Sequence, residues 1–223
     1  MTVDVLPGTI VLFSDIACPW ATVAVERFHE ARERTGAGVR LLHRAFPLEL
    51  VNERATPKPI LDVEIPVASK LANGAFRSWS GALHEWPVTT LLALEAVRAA
   101  GDKSEELDRA LRRAFFHDSR CISLRSVVLD VARQVGADVE AALDDGRCRR
   151  AIIDDLALAR SSAVRGSPHA FLPGGSDEHN PGVEMHWAAG KPIIDSDDPS
   201  AWDEIVSRAA APRSPSRAGR THR

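Results

Sequence analysis

Thr9-Ile10-Val11-Leu12-Phe13-Ser14-Asp15-Ile16-Ala17-Cys18-Pro19-Trp20-Ala21 is the stretch on which the fold turns. Its first half, Thr9 to Ser14, is a short β-rich apolar run suited to a buried strand. From Ala21 the period changes. Ala21, Ala24, Val25 and Phe28 fall at i, i+3, i+4 and i+7, the apolar stripe of a helix. Pro19 fits the first helical position, because its missing N–H would have had no partner there. Cys18 is then the N-cap, with its sulfur near the free N–H groups of Trp20 and Ala21. Those donors and the helix dipole favour an anion. An ordinary thiol, with a pKa of about 8.5, is mostly neutral at pH 7; this placement predicts a lowered value and a thiolate nucleophile.

Gly36 and Gly38 end the helix, and Val39 to Phe46 forms a second strand that Pro47 stops. This is β-α-β, about as long as a parallel crossover needs. From Val67 to Val164 the pattern is almost entirely helical. Pro87 to Ala100 is apolar on most sides. Leu107, Ala110, Leu111, Ala114 and Phe115 repeat at helical spacing, as do Leu124, Val127, Val128, Val131 and Val135, with Ser123 as the expected N-cap. Arg149 to Val164 is a further helix. Strands resume with Pro168 to Leu172 and Val183 to Ala188, joined by a Gly/Asp/Asn/Pro-rich connection from Gly174 to Gly182. Asp198-Pro199 reads as an N-cap and first helical residue, with Trp202, Ile205, Val206 and Ala209 on the buried stripe. The expected organisation is an α/β fold in two parts, 1–66 and 148–211, around a helical insertion, 67–147, with a disordered tail, 212–223.

The chain has 223 residues, long enough to bury a core without disulfides or a structural metal. A composition of 44% hydrophobic and 26% charged residues is that of a globular protein. The formal charge of −3 gives no general footing for nucleic acid or an anionic membrane. No apolar run approaches a membrane span, and Met1 to Gly8 has no basic n-region, so a cytoplasmic address is expected. Cys18, Cys121 and Cys148 are an odd, widely spaced set in a reducing compartment, which argues against a disulfide scaffold.

The order strand, Cys18-Pro19-Trp20-Ala21, helix, strand, helical block, Gly166-Ser167-Pro168, strands, helix resembles the DsbA-like branch of the thioredoxin superfamily, in particular its cytoplasmic, FrnE-like members. The resemblance covers about Thr9 to Ala210 and implies a thioredoxin-like fold with an inserted helical domain. It implies thiol–disulfide oxidoreductase activity with Cys18 as nucleophile and Pro19, Trp20 and Ala21 completing its motif. It also implies a cis Ser167–Pro168 bond, which sequence alone would assign as trans. The Ser167 backbone would then face an extended substrate beside Cys18. The departure is Ala21, where relatives carry a second cysteine to resolve the mixed disulfide. A monothiol route remains, with a small or protein disulfide as substrate and glutathione or another low-molecular-weight thiol resolving Cys18; no tightly bound cofactor is implied. Cys121 and Cys148 stay open as resolving partners, and a homodimer stays open.

Two rival functions accompany this reading. Kappa-class glutathione transferases and hydroxychromene-carboxylate isomerases share the topology, usually with Ser at the Cys18 position. A non-catalytic binding module of the same fold is the other rival, supported mainly by Ala21. His169, directly after Pro168, is a candidate neighbour of Cys18 whose charge would favour thiolate. His169, His179 and His186 have spacings that match no standard metal site, and no metal is expected. His84-Glu85-Trp86-Pro87 lacks a second zinc-binding His, and no phosphate loop or serine-nucleophile elbow occurs. Trp79, Trp86, Phe115 and Phe116 read as core, or else as the lining of a cleft above Cys18.

Overall fold

A central strand buried on both faces reads as a near-continuous apolar run, and Ile10 to Phe13 within Thr9–Ser14 meets that demand. The computed structural model describes residues 3–55 and 57–210, so the tail expected at 212–223 lies outside the described residues. The chain runs β1 (Thr9–Ser14), α1 (Pro19–Thr35), β2 (Arg40–Ala45), α2 (Leu48–Val51) and α3 (Lys58–Ala68). It continues with α4 (Leu91–Ala99), α5 (Ser104–Phe116), α6 (Arg125–Gln134), α7 (Glu140–Asp145) and α8 (Arg149–Ala159). It closes with β3 (His169–Phe171), β4 (Asp177–His179), β5 (Val183–Ala188), β6 (Lys191–Asp197) and α9 (Ala201–Ala210).

In the main sheet β1 lies between parallel β2 and antiparallel β3, with β4 beyond β3. Alternate residues of β1 serve opposite faces. Ile10 and Leu12 pack with Val25 and Phe28 of α1 and with Trp202 and Ile205 of α9. Val11 and Phe13 pack with Leu158 and Ala159 of α8. The helices between α3 and α7 build a third core, and Cys18, Trp20 and Ala21 belong to it. The inserted helices therefore rest directly on the start of α1. Among the described residues no helix is long and apolar enough to cross a membrane.

Several local expectations are corrected. Helix starts at Lys58, so α3 runs across the expected boundary at 66/67. The helix expected from Pro87 begins only at Leu91, because the Glu49 carboxylate, distant in sequence, takes the N–H of Thr90 at 2.8 Å at its start. Ser123 does not cap α6, which begins at Arg125. Its hydroxyl instead accepts the N–H groups of Val88 and Thr89 at 3.0 and 3.1 Å and donates to the Thr89 carbonyl at 2.7 Å. The connection from 174 to 182 contains β4, and β5 pairs with β6 in a separate hairpin that the apolar pattern did not announce. α8 stops at Ala159, short of Val164, and α9 starts at Ala201, with the Asp198 carboxylate accepting the Ser200 N–H two residues ahead of it at 2.9 Å.

One buried ion pair fastens the inserted helices to the sheet. Arg112 and Asp108, four residues apart on α5, are each 1% exposed. Arg112 Nε donates to Asp108 Oδ2 at 2.7 Å, while its Nη atoms donate to the Asp15 carbonyl and the Ser14 hydroxyl, both at 2.9 Å. His43 of β2 stands 3.5 Å from Asp108. Removing the guanidinium leaves a carboxylate in the interior without its main partner, a defect that typically costs 3–5 kcal/mol. Arg112→Ala is accordingly expected to lose about 3–5 kcal/mol in urea unfolding. A loss below about 1 kcal/mol would show that the pair is not the fastening described.

Candidate active site at the start of the first helix

Cys18 occupies the N-cap of α1 in extended conformation, with Pro19 in the first turn. Its sulfur accepts the Ala21 N–H at 3.4 Å and donates its S–H to the Ser167 carbonyl at 3.1 Å. The Ser167–Pro168 peptide is cis. The Ser167 hydroxyl accepts the Asp15 N–H at 2.9 Å, so this residue grips the Cys18 loop from side chain and main chain together. Cys18 is 4% exposed. It borders a cavity of about 370 Å³ whose walls include Trp20, Arg54, Glu64, Ser167 and Trp187.

The expected resting thiolate is overturned. Burial pushes the Cys18 thiol up to about 12, outweighing the Ser167 and Ala21 contacts, while the nearby carboxylates of Glu64 and Asp15 push the same way. The helix dipole does act on the sulfur, but a 4% exposed atom loses more in solvation than one N–H returns. Burial thus favours the protonated thiol, which is placed to donate to the Ser167 carbonyl.

Beneath the loop, Asp15 is fully buried. Its carboxylate accepts the N–H groups of Ala17 at 2.7 Å and Leu48 at 2.8 Å, and the Thr90 hydroxyl at 3.0 Å. It thereby joins β1, the entry to α2 and the entry to α4. Burial and the charge of Glu49 push its acid up to about 7, against those three hydrogen bonds. Across the cavity, the Trp20 indole N–H donates to Glu64 Oε1 at 3.0 Å. Burial raises the Glu64 acid, with the indole bond opposing.

The sequence reading missed Asp15, Glu49 and Glu64. For Glu64 a signal existed: it shares an α3 face with buried Leu61 and Ala68, and a carboxylate on such a stripe needs a polar partner. Asp15 lay within the quoted motif, but two of its three partners, Leu48 and Thr90, come from distant segments.

Of the remaining candidates, Pro19, Trp20 and Ser167 line the Cys18 cavity. Ala21 contributes its N–H to the sulfur and is itself fully buried. Pro168 borders a separate narrow crevice with Trp20 and Val23. His169 is not a neighbour of the sulfur. It is 1% exposed, accepts the Arg165 N–H on Nδ1 at 3.1 Å and contacts Asp177 through Nε2 at 2.7 Å. Burial lowers its pKa against Asp177, so it supplies no cation to Cys18. Cys121 and Cys148 are free thiols in the helical segment. Trp79, Trp86 and Phe115 pack on one another at centroid distances of 5.0–5.9 Å, apart from the Cys18 cavity. His186 contacts Asp195 at 2.8 Å, and among the described residues no group of three metal-ligating side chains gathers. A larger groove of about 640 Å³ between α1 and α5 holds charges that pair internally, Arg109 with Glu26 and Arg32 with Glu105, each at 2.6 Å.

A cysteine capping a helix against a prolyl loop, on a sheet with helices on both faces, defines an α/β protein of the thioredoxin-like class. The chain belongs to the DSBA-like thioredoxin domain family, whose profile matches residues 9–190. Among solved structures it is similar to the cytosolic disulfide reductase DsbM from Pseudomonas aeruginosa, with 16% identity, a TM-score of 0.56 and coverage of 89% of this chain and 97% of that one. It is similar to a probable DsbA oxidoreductase from Streptomyces coelicolor, with 20% identity, a TM-score of 0.59 and coverage of 93% and 92%. It also resembles a 2-hydroxychromene-2-carboxylate isomerase, with 16% identity, a TM-score of 0.59 and coverage of 76% and 87%. No curated protein is significantly similar in sequence.

Two outcomes are expected of the site at rest. Wild type and Cys18→Ser will show the same ultraviolet thiolate absorbance at pH 7; a band that disappears with the sulfur would reveal an anion. The second concerns Asp15. Its folded pKa of about 7 lies above the unfolded value of about 3.9, so its contribution to folding is full below the lower value and is lost as pH rises through the upper one. Measured against Asp15→Asn, wild type should lose on the order of 1–4 kcal/mol of relative stability between about pH 4 and pH 7. A flat difference across that window would contradict the raised acid.

Proposed function

We propose that this protein is a thiol–disulfide oxidoreductase that works through Cys18 alone. The observation that carries the reading is the placement of the sulfur, a helix N-cap bonded to the Ser167 carbonyl at the edge of a cavity of about 370 Å³. Ala21 shapes the chemistry, because a methyl group at that position leaves Cys18 no thiol one helical turn on with which to close a ring. The protein therefore exchanges disulfides without storing one in its motif. Cys18 loses its proton and attacks a disulfide R–S–S–R′. The bond between the two substrate sulfurs breaks, Cys18–S–S–R forms, and R′ leaves as a thiol with the proton. A low-molecular-weight thiol then attacks the mixed disulfide, takes R as a new disulfide and restores the Cys18 thiol.

Glutathione is the natural candidate for that second thiol. One similar structure is a DsbM solved with glutathione, at 14% identity and a TM-score of 0.58. The apolar and aromatic walls at Ile60, Leu61 and Trp187, with the Arg54 cation on the rim, suit a small disulfide or an exposed protein disulfide carrying a carboxylate nearby. A reducing compartment such as the cytoplasm would supply the resolving thiol. The isomerase likeness keeps a second reading in view, in which Cys18 orients a bound glutathione rather than bonding to it.

Intact-mass measurement after incubation with oxidised glutathione separates the two. One glutathionyl adduct is expected, located on Cys18 by peptide mapping, absent from Cys18→Ala and reversed by reduced glutathione. Glutathione affinity that persists in Cys18→Ser, with no adduct in wild type, would replace exchange by the bound-thiol reading.

A further inference from the structure

A thiol held at about 12 and bonded to a carbonyl cannot attack until something takes its proton. Among the described residues lining the Cys18 cavity there is one carboxylate, Glu64, and no His or Lys. Asp15, the other nearby carboxylate, is not in the cavity wall, and both its oxygens are occupied by the Ala17, Leu48 and Thr90 donors. Glu64 differs on each count. It borders the same space as Cys18, and the Trp20 indole fixes Oε1 at 3.0 Å. No second hydrogen bond is made to Glu64 among the described residues, which leaves Oε2 available.

We infer that Glu64 is the general base of the Cys18 reaction, taking the thiol proton as the sulfur attacks and returning it to the departing thiolate. The inference rests on the monothiol reading above and assigns the proton that reading leaves unplaced. The step balances. The Cys18 S–H bond and the substrate S–S bond break, and a Cys18–S–S–R bond forms. The proton moves to Glu64 Oε2 and then to R′–S⁻, so no outside acid, base or oxidant is needed. A cavity of about 370 Å³ has room for a water to carry the proton where the two groups are not in contact, since one water takes about 30 Å³. Burial holds the Glu64 acid above the usual carboxylate range, nearer the pH where a base is most effective. The inference also gives Trp20 a task, as the donor that aims Glu64.

The test turns on a sign. As a bystander, the negative charge of Glu64 hinders ionisation of Cys18, and its removal would speed the reaction. As the base, its removal must slow it. The rate of Cys18 adduct formation with oxidised glutathione at pH 7 is expected to fall about 10²-fold in Glu64→Gln. An unchanged or faster rate in a variant whose near-ultraviolet circular dichroism matches wild type overturns the assignment. A second measurement needs no variant. The wild-type reaction should be slower in D₂O, because the proton is in flight as the sulfur attacks; a rate no slower in D₂O points to a pre-formed thiolate and overturns it equally. Failure of wild type to form the adduct at all defeats the monothiol reading itself, and this inference with it. Adduct formation at normal speed in Glu64→Gln defeats only the role of Glu64.

Discussion

The S–H···O bond from Cys18 to the Ser167 carbonyl joins residues 149 positions apart and brings the two α/β portions of the chain together at one point. Everything near it serves to hold these two backbones at hydrogen-bonding distance. The Ser167 hydroxyl takes the Asp15 N–H, the Asp15 carboxylate takes the Ala17 N–H, and the sulfur takes the Ala21 N–H. Each contact satisfies a main-chain donor that would otherwise be stranded where strand gives way to helix. Cap, loop and thiol are thus parts of one hydrogen-bonding arrangement.

The inserted helices reach that arrangement through polar groups. Arg112 of α5 donates to the Asp15 carbonyl, and Thr90, at the N-cap of α4, donates to the Asp15 carboxylate. Glu64 of α3 receives the Trp20 indole. The helical segment consequently sets the electrostatics of Cys18 as well as covering it. It excludes water, which raises the thiol, and it supplies the one carboxylate among the described residues of the cavity wall.

What the sequence made legible was periodic or local. The apolar run of β1, the stripe of α1 beginning at Ala21 and the buried face of α9 through Trp202, Ile205 and Val206 all follow from spacing. The N-cap position of Cys18 follows from Pro19 beside it. Several misreadings share a different origin, since each depends on a side-chain partner that spacing does not reveal, from 8 to 41 residues away. Glu49 takes the start of α4, the Ser123 hydroxyl serves the 88–89 backbone, and Asp177 claims His169. The charge state of Cys18 is the instructive case. Dipole and cap could be read locally and pointed to an anion, but desolvation is a property of the assembled core, and it prevailed.

A buried, protonated thiol also bears on the chemical durability of a motif with a single cysteine. A low-pKa, exposed thiolate invites oxidation to sulfenic acid and beyond, and a site with no second cysteine one turn away cannot trap that damage as a local disulfide. Burying Cys18 and bonding its proton to Ser167 removes both sources of susceptibility, exposure and charge. The same burial that opposes a resting thiolate leaves the sulfur reachable chiefly from the cavity it borders.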